Sequence, residues 1–118
     1  MKKVCIVDDY DINLFILEEY LKKSFRTKSF LNARECIDFV KNNKVDVVLM
    51  DCNMPVMNGY DATKLIKNID PKIKVIAITA NSFQKDIAKC IESGMDDVLV
   101  KPVFKEKVIE CINSKIFS

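Results

Sequence analysis

Short continuous apolar runs alternate along the chain with longer stretches in which apolar residues recur every three or four positions. The continuous runs predict strands near residues 3–7, 45–50, 74–79 and 97–100, and uninterrupted Val, Ile and Leu is typical of strands covered on both faces. A further strand is predicted near 26–30, where poor alternation suits a partly exposed strand at the edge of a sheet.

Five helical patterns follow these strands in turn. Asp11 is predicted to cap the first helix and Asn32 the second, and Gly94 is predicted to end the fourth. The apolar positions of the helices are Leu14, Leu17 and Leu21, then Ala33, Cys36, Ile37 and Val40, then Ala62, Leu65, Ile66 and Ile69, then Phe83, Ile87, Cys90 and Ile91, and finally Ile109, Ile112 and Ile116. Five strand–helix repeats predict an α/β fold whose parallel sheet has helices on both sides.

The length of 118 residues fits one domain, residues 1–118, and 49% apolar residues are enough for a core. The net charge of +2 comes from 19 basic and 17 acidic side chains, and this balance argues against nucleic-acid binding through a basic face. No apolar stretch is long enough for a membrane span, so we expect a soluble, cytoplasmic protein that does not bind a membrane.

The chain has five cysteines, no pair of them at CxxC spacing, and no histidine, which excludes a Cys/His zinc site. Four of the five fall within apolar patterns and are expected to pack as small hydrophobic residues in a reducing compartment: Cys5, Cys36, Cys90 and Cys111. Cys52 differs because it directly follows Asp51, although nothing in the sequence supports a redox role there.

Polar residues follow the ends of four predicted strands: Asp8 and Asp9, then Asp51, then Thr79, then Lys101. In parallel α/β sheets, ligands bind outside the carboxyl ends of the strands. Two carboxylates ~4 Å apart repel by about 4 kcal/mol at an effective dielectric of 20, and a divalent cation relieves this repulsion. Ligands that are all oxygen, with room for water and phosphate, favour Mg²⁺.

These residue types also suit phosphoryl transfer. An aspartate can attack phosphorus and become an aspartyl phosphate. Lys101 can then pair with the added charge, and the Thr79 hydroxyl can donate a hydrogen bond to it. Each residue alone is better explained as a turn, a cap, a strand end or a solvated charge, but all of them at one edge favour a site. Four other aspartates lie in predicted helix starts or turns and are interpreted as caps and turn formers: Asp61, Asp86, Asp96 and Asp97.

Over essentially its full length the chain resembles the receiver domain of two-component response regulators, particularly receivers attached to hybrid histidine kinases. Residues 48–60 (VLMDCNMPVMNGY) are similar to the phosphorylation segment of that family. Residues 78–81 (ITAN), 94–97 (GMDD) and 101–102 (KP) are similar to further segments of it, in the same order. The resemblance implies a flavodoxin-like, doubly wound (βα)5 domain with strand order 2-1-3-4-5.

The resemblance also implies roles for the clustered residues. Asp51 would be the phosphoacceptor, and Asp9, Asp51 and the backbone carbonyl of Asn53 would bind Mg²⁺ directly. Asp8 would act mostly through a metal-bound water, while Thr79 and Lys101 would contact the phosphoryl group.

Further expectations concern the rim of the site. Pro102 would follow a cis peptide bond. Ala80 would leave the phosphoryl group accessible, and Asn53 and Asn81 would tune its hydrolysis. The chain departs from the family at Val98, where Tyr or Phe is often found, so that signalling by rotation of an aromatic ring is not available there.

The resemblance implies a signalling module and not an enzyme, apart from chemistry on its own Asp51. A histidine kinase or histidine phosphotransfer protein would donate the phosphoryl group, and a downstream effector or phosphotransfer protein would respond. We expect a monomer or a weak homodimer. Two alternatives are a phosphohydrolase of the haloacid dehalogenase type, which needs an aspartate where this chain has Asn53, and a receiver that docks or dimerises independently of phosphorylation, which Val98 keeps open.

Overall fold

The computed structural model of the chain describes residues 1–52, 54, 57–80 and 83–117. Strands and helices alternate through these residues. The strands are β1 (Lys3–Val7), β2 (Arg26–Phe30), β3 (Val47–Asp51), β4 (Lys74–Thr79) and β5 (Asp97–Val100). The helices are α1 (Asp11–Leu21), α2 (Ala33–Asn42), α3 (Gly59–Ile69), α4 (Gln84–Glu92) and α5 (Lys105–Ile116).

All the strand pairs are parallel, and the sheet order is β2-β1-β3-β4-β5, which confirms the expected doubly wound fold. Alternate residues of each strand point to opposite faces of the sheet. One face contributes Val4 and Leu49 to a core shared with α1 and α5, and the other contributes Cys5 and Met50 to a core shared with α2, α3 and α4. Edge strand β2 is partly exposed, as predicted.

The helix starts agree with the sequence at one position and differ at another. Asn32 is the N-cap of α2, and its side chain accepts a hydrogen bond from the Glu35 N–H at 2.9 Å, as predicted. The prediction that Asp11 caps α1 was wrong, because Tyr10 is the N-cap and Asp11 is the first helical residue. The negative charge of Asp11 still interacts favourably with the positive N-terminal end of the helix dipole.

Several predicted apolar positions are not buried. Four of them are exposed: Leu65 and Ile69 of α3, Ile91 of α4, and Phe83 before α4. By contrast, the polar residue Thr63 of α3 is buried. Among the described residues of α4 only Cys90 is buried, so this helix lies shallowly on the sheet. Within the described part of the chain, no helix combines the length and apolar character needed to cross a bilayer.

Candidate functional site

The carboxyl ends of β1 and β3 bring three aspartates together. Val7 pairs with Met50 in the sheet, so the residues that follow them, Asp8 and Asp51, lie at the same edge. Each of Asp8, Asp9 and Asp51 offers one carboxylate oxygen within 4.8 Å of those of the other two. Asp8 and Asp51 are only 2% and 6% exposed, and Asp9 is exposed.

Local hydrogen bonds hold Asp8 in place at this edge. Its carboxylate accepts from the Tyr10 N–H at 2.9 Å and from the Asn13 side-chain amide at 3.2 Å. Its own N–H donates to the Phe30 carbonyl of β2 at 3.2 Å. Asn13 was not among the residues predicted from the sequence. Its position in the first turn of α1, just after the acidic pair, is the signal that could have identified it.

Thr79 and Lys101 reach the same edge from β4 and from the end of β5. Thr79 is the last residue of β4 and is buried, and its carbonyl accepts from the Lys101 N–H at 2.7 Å. The Lys101 ammonium lies 3.9 Å from an Asp8 carboxylate oxygen. The Lys101–Pro102 peptide bond is cis, which confirms the expectation for Pro102.

The chain returns close to Asp51 at the start of α3. The Gly59 N–H donates to the Cys52 carbonyl at 3.3 Å. A Cβ atom at residue 59 would lie 2.5 Å from the Asp51 carbonyl oxygen, so a side chain there would collide with the backbone of the phosphoacceptor candidate. Glycine is therefore required at this position if Asp51 is to keep its place.

Two residues expected to act at the site, Asn53 and Asn81, lie outside the described residues. Ala80 is exposed beside Thr79, as its expected role in access requires. Asp61 and Asp86 lie in the first turns of α3 and α4, and Asp97 begins β5.

Asp96 does more than form a turn. One of its carboxylate oxygens accepts from the Lys67 ammonium at 2.7 Å and from the Val75 N–H at 2.8 Å. It therefore links α3 to β4. The sequence gives no signal for this contact, because Lys67 is distant from Asp96 along the chain.

The cysteines are all free and buried, as expected of small packing residues. Burial raises the pKa of the Cys52 thiol, and its contact with Cys90 and the charge of Asp51 raise it further. Burial likewise raises the pKa of Tyr60 to about 12, and the Lys89 ammonium lies over the Tyr60 ring, 4.6 Å from its centroid. Cys52 and Tyr60 thus lie together between Asp51 and α4.

The donor set at this edge fits a hard divalent cation. The ligand atoms offered by Asp8, Asp9 and Asp51 are all carboxylate oxygens. Mg²⁺ is bound in proteins through one or two carboxylates together with water and phosphate oxygens. The Lys101 ammonium adds positive charge beside the carboxylates. The arrangement can hold a cation and a phosphoryl group next to Asp51.

Comparison with known proteins places these features in a family. The family model described as the response regulator receiver domain matches residues 4–113. Chemotaxis protein CheY of Thermotoga maritima is 37% identical over 114 residues, covering 95% of this chain and 95% of that protein. Sensor histidine kinase RcsC of Escherichia coli is 36% identical over 101 residues, covering 85% of this chain but only 11% of the kinase.

Solved structures are similar over nearly the whole chain. One is the receiver domain of sensor histidine kinase PA1611 from Pseudomonas aeruginosa, which was solved with a magnesium ion coordinated in its active site cleft. It has a TM-score of 0.91 and 28% sequence identity, and the match covers 99% of this chain and 98% of that one. Another is the receiver domain of Ssk1 from Saccharomyces cerevisiae, which was solved in complex with the histidine phosphotransfer protein Ypd1. It has a TM-score of 0.89 and 29% sequence identity, and the match covers 95% of this chain and 86% of that one.

Proposed function

Because the chain belongs to the response regulator receiver domain family, we propose that residues 1–118 form a receiver whose Asp51 accepts a phosphoryl group from a phosphohistidine donor. The observation that carries the proposal is the buried Asp51 carboxylate within 4.8 Å of those of Asp8 and Asp9 at the carboxyl edge of the sheet. Residues 1–118 contain no histidine, so the phosphohistidine lies outside this sequence.

In the transfer, an Asp51 carboxylate oxygen attacks phosphorus, a P–O bond forms, and the P–N bond of the donor breaks. The electron pair of that bond returns to the histidine nitrogen. The Lys101 ammonium pairs with the phosphoryl oxygens, and the Thr79 hydroxyl donates a hydrogen bond to one of them. Receiver domains are signalling domains and not classical enzymes, and this chemistry is confined to the domain's own Asp51.

We propose that Mg²⁺ would be held at the same edge by Asp9, Asp51 and the Asn53 backbone carbonyl, with Asp8 acting mostly through a metal-bound water. Bound Mg²⁺ supplies positive charge that offsets the repulsion between the carboxylates and the incoming phosphoryl group. The hydrogen bonds from the Tyr10 N–H and the Asn13 amide keep the Asp8 carboxylate oriented for this role.

The chemical test uses a small phosphodonor such as acetyl phosphate, with and without Mg²⁺. We expect wild-type protein to gain the mass of one phosphoryl group only when Mg²⁺ is present, and Asp51→Asn to gain none. Asp61→Asn is the matched control, since Asp61 lies in the first turn of α3 and its carboxylate is not among the three that cluster. Equal modification of Asp51→Asn and wild type would exclude Asp51 as the acceptor.

We further propose that the donor protein docks on the exposed face of α1. Three apolar residues of this helix, Ile12, Phe15 and Ile16, are exposed, and Phe104 is exposed beside them. A groove of about 550 Å³ connects this surface to the site, and its lining includes Asp8, Asn13, Ile16, Tyr20, Lys101 and Phe104. The complex of Ypd1 with the Ssk1 receiver shows that a similar receiver binds a histidine phosphotransfer protein.

The docking test separates protein donors from small ones. Phe15→Ser should slow phosphorylation by a phosphotransfer protein at least about tenfold, and should leave modification by acetyl phosphate unchanged, because only the docking surface is altered. Phe117→Ser removes another exposed aromatic ring, 78% exposed against 61% for Phe15, after the end of α5. It should change neither rate. If Phe15→Ser transfers at the wild-type rate from every phosphotransfer protein that phosphorylates the wild type, the docking assignment is wrong.

A phosphorylation-independent docking module remains the second candidate, since Val98 leaves β5 without an aromatic ring that could rotate. In that case partner binding would be the same for wild type and Asp51→Ala. Under the leading proposal, phosphorylation shifts an existing equilibrium at the surface formed by α4, β5 and α5 or passes the phosphoryl group on. A cytoplasmic location and a monomer or weak homodimer remain predictions.

A further inference from the structure

Two thiols are in contact in the core, and one of them belongs to the residue that follows the phosphoacceptor candidate Asp51. The Cys52 and Cys90 sulfur atoms are 3.5 Å apart, and each residue is only 1% exposed. Both belong to the core on the α2–α3–α4 face of the sheet. By contrast, the Cys111 sulfur lies 3.5 Å from an Asp97 carboxylate oxygen and so faces a charged group.

The two residues join α4 to the segment that follows β3. Cys52 is the first residue after β3 and directly follows Asp51, and its N–H donates to the Ile78 carbonyl of β4 at 3.2 Å. Cys90 is the buried residue among the described positions of α4. The thiol contact therefore links α4 directly to the segment that carries Asp51.

Thiols in contact usually pack as small hydrophobic groups, but this contact also permits a covalent bond. A disulfide has an S–S distance of about 2.05 Å, so the two sulfur atoms need to approach by roughly 1.5 Å. Among its described residues α4 buries only Cys90, and elements with little buried apolar surface open locally at low free-energy cost, so a shift of this size and access for a small oxidant are expected of α4. The β3 end is fixed in the sheet, so the movement falls on the helix.

We propose that Cys52 and Cys90 are a redox modification site, at which an oxidant of the hydroperoxide class forms a disulfide that ties α4 to the segment following Asp51 and restricts its opening. One sulfur attacks the peroxide oxygen, the O–O bond breaks, and a sulfenic acid and water form. The second sulfur then displaces the hydroxyl group of the sulfenic acid, forming the S–S bond and a second water. Together the two thiols lose two electrons, and these reduce one hydrogen peroxide to two waters.

The test uses the full chain, reduced, treated with hydrogen peroxide, alkylated and digested with trypsin without reductant. Each cysteine lies on its own tryptic peptide, because Lys or Arg residues separate all five. Mass spectrometry therefore identifies which thiols are joined. We expect a Cys52–Cys90 peptide pair from wild type and from the control Cys111→Ala, and none from Cys90→Ala or Cys52→Ala.

Hydrogen exchange measures the consequence independently of phosphorylation. Amide exchange across α4 should slow on the order of tenfold or more in the bridged protein, and exchange in α5 should stay the same. Free thiols at both positions after treatment of the folded protein, or pairing of Cys52 with another cysteine, would overturn the proposal. Unchanged α4 exchange in the bridged form would overturn it as well. Failure of Asp51 phosphorylation would leave these readouts unaffected.

Discussion

Replacing Gly59 with alanine tests whether the approach of α3 to the β3 end sets the position of Asp51. The new Cβ would lie 2.5 Å from the Asp51 carbonyl oxygen, 3.0 Å from the Cys52 Cα and 3.1 Å from the Met50 Cγ. Two of these three atoms belong to the backbone. A rotamer change therefore cannot relieve the collision, and the start of α3 and the backbone of Asp51 have to move apart.

The size of the effect follows from these distances. A carbon–oxygen contact of about 3.3 Å is the close limit for such atoms, so the backbone has to separate by roughly 0.8 Å. Overpacking of this kind costs about 1–3 kcal/mol, and the higher helix propensity of alanine returns part of that, so we expect a net loss of about 1–2 kcal/mol. For a domain of this size the Tm should fall by about 5 °C.

The functional effect of Gly59→Ala should exceed its effect on stability, because the displaced atom belongs to Asp51. A misplacement of about 1 Å at a reacting group can cost on the order of 100-fold, so we expect beryllofluoride binding with Mg²⁺ to weaken at least about tenfold. Calorimetry or fluorescence titration measures the affinity, and thermal unfolding measures the stability.

Gly94→Ala is the matched control. Gly94 has φ of +104°, and the nearest atoms to a new Cβ are 3.7 Å and 3.9 Å away, on Lys67 and Thr63. Alanine there is strained by about 1–2 kcal/mol without a collision at the site. We expect a similar loss of stability with unchanged beryllofluoride affinity. If Gly59→Ala and Gly94→Ala bind beryllofluoride equally well, the Gly59 contact does not position Asp51.

Three further predictions concern stability. Asp96→Ala should lower the free energy of unfolding by about 2–3 kcal/mol in denaturant titrations, because it removes the acceptor of a backbone N–H and of an ammonium. The control Asp38→Ala breaks an exposed ion pair and should change the free energy of unfolding by under about 0.5 kcal/mol. Asn32→Ala should cost about 1 kcal/mol through loss of the α2 cap, and an unchanged Tm would refute this. Burial acts to raise the pKa of Asp97, but the Val98 N–H and its other partners outweigh it and lower that pKa below 3.8. The advantage of wild type over Asp97→Asn should therefore be constant above about pH 5 and should disappear as the pH falls through the lowered folded-state pKa.

The sequence predicted the sheet well because buried parallel strands are continuous apolar runs. Each of the five strands was placed within two residues, and the carboxyl ends of β1 and β3 correctly brought Asp8 and Asp51 to one edge. This part of the site could be predicted because topology alone sets it. Once the strands are parallel and adjacent, the residues that follow them have to meet.

The remaining features depend on contacts between distant parts of the chain. Leu65 and Ile91 have the spacing of buried helix positions, but α3 and α4 are only partly covered, so both stay exposed. Asp96 looked like a turn residue because its ammonium partner is 29 residues away. The Asp11 cap was wrong because the helix begins one residue earlier than the acidic pattern indicates.

Communication between Asp51 and α4 cannot depend on an aromatic ring of β5 in this chain. Val98 is only partly buried and packs against the same core as Tyr60, Cys52 and Cys90. A valine side chain has no ring to move between two positions. Among the described residues, two contacts link the neighbourhood of Asp51 to α4: the Cys52–Cys90 contact and the Tyr60 ring beneath the ammonium of α4. Because Cys52 directly follows Asp51, a disulfide between Cys52 and Cys90 would act on a contact that adjoins the phosphoacceptor candidate.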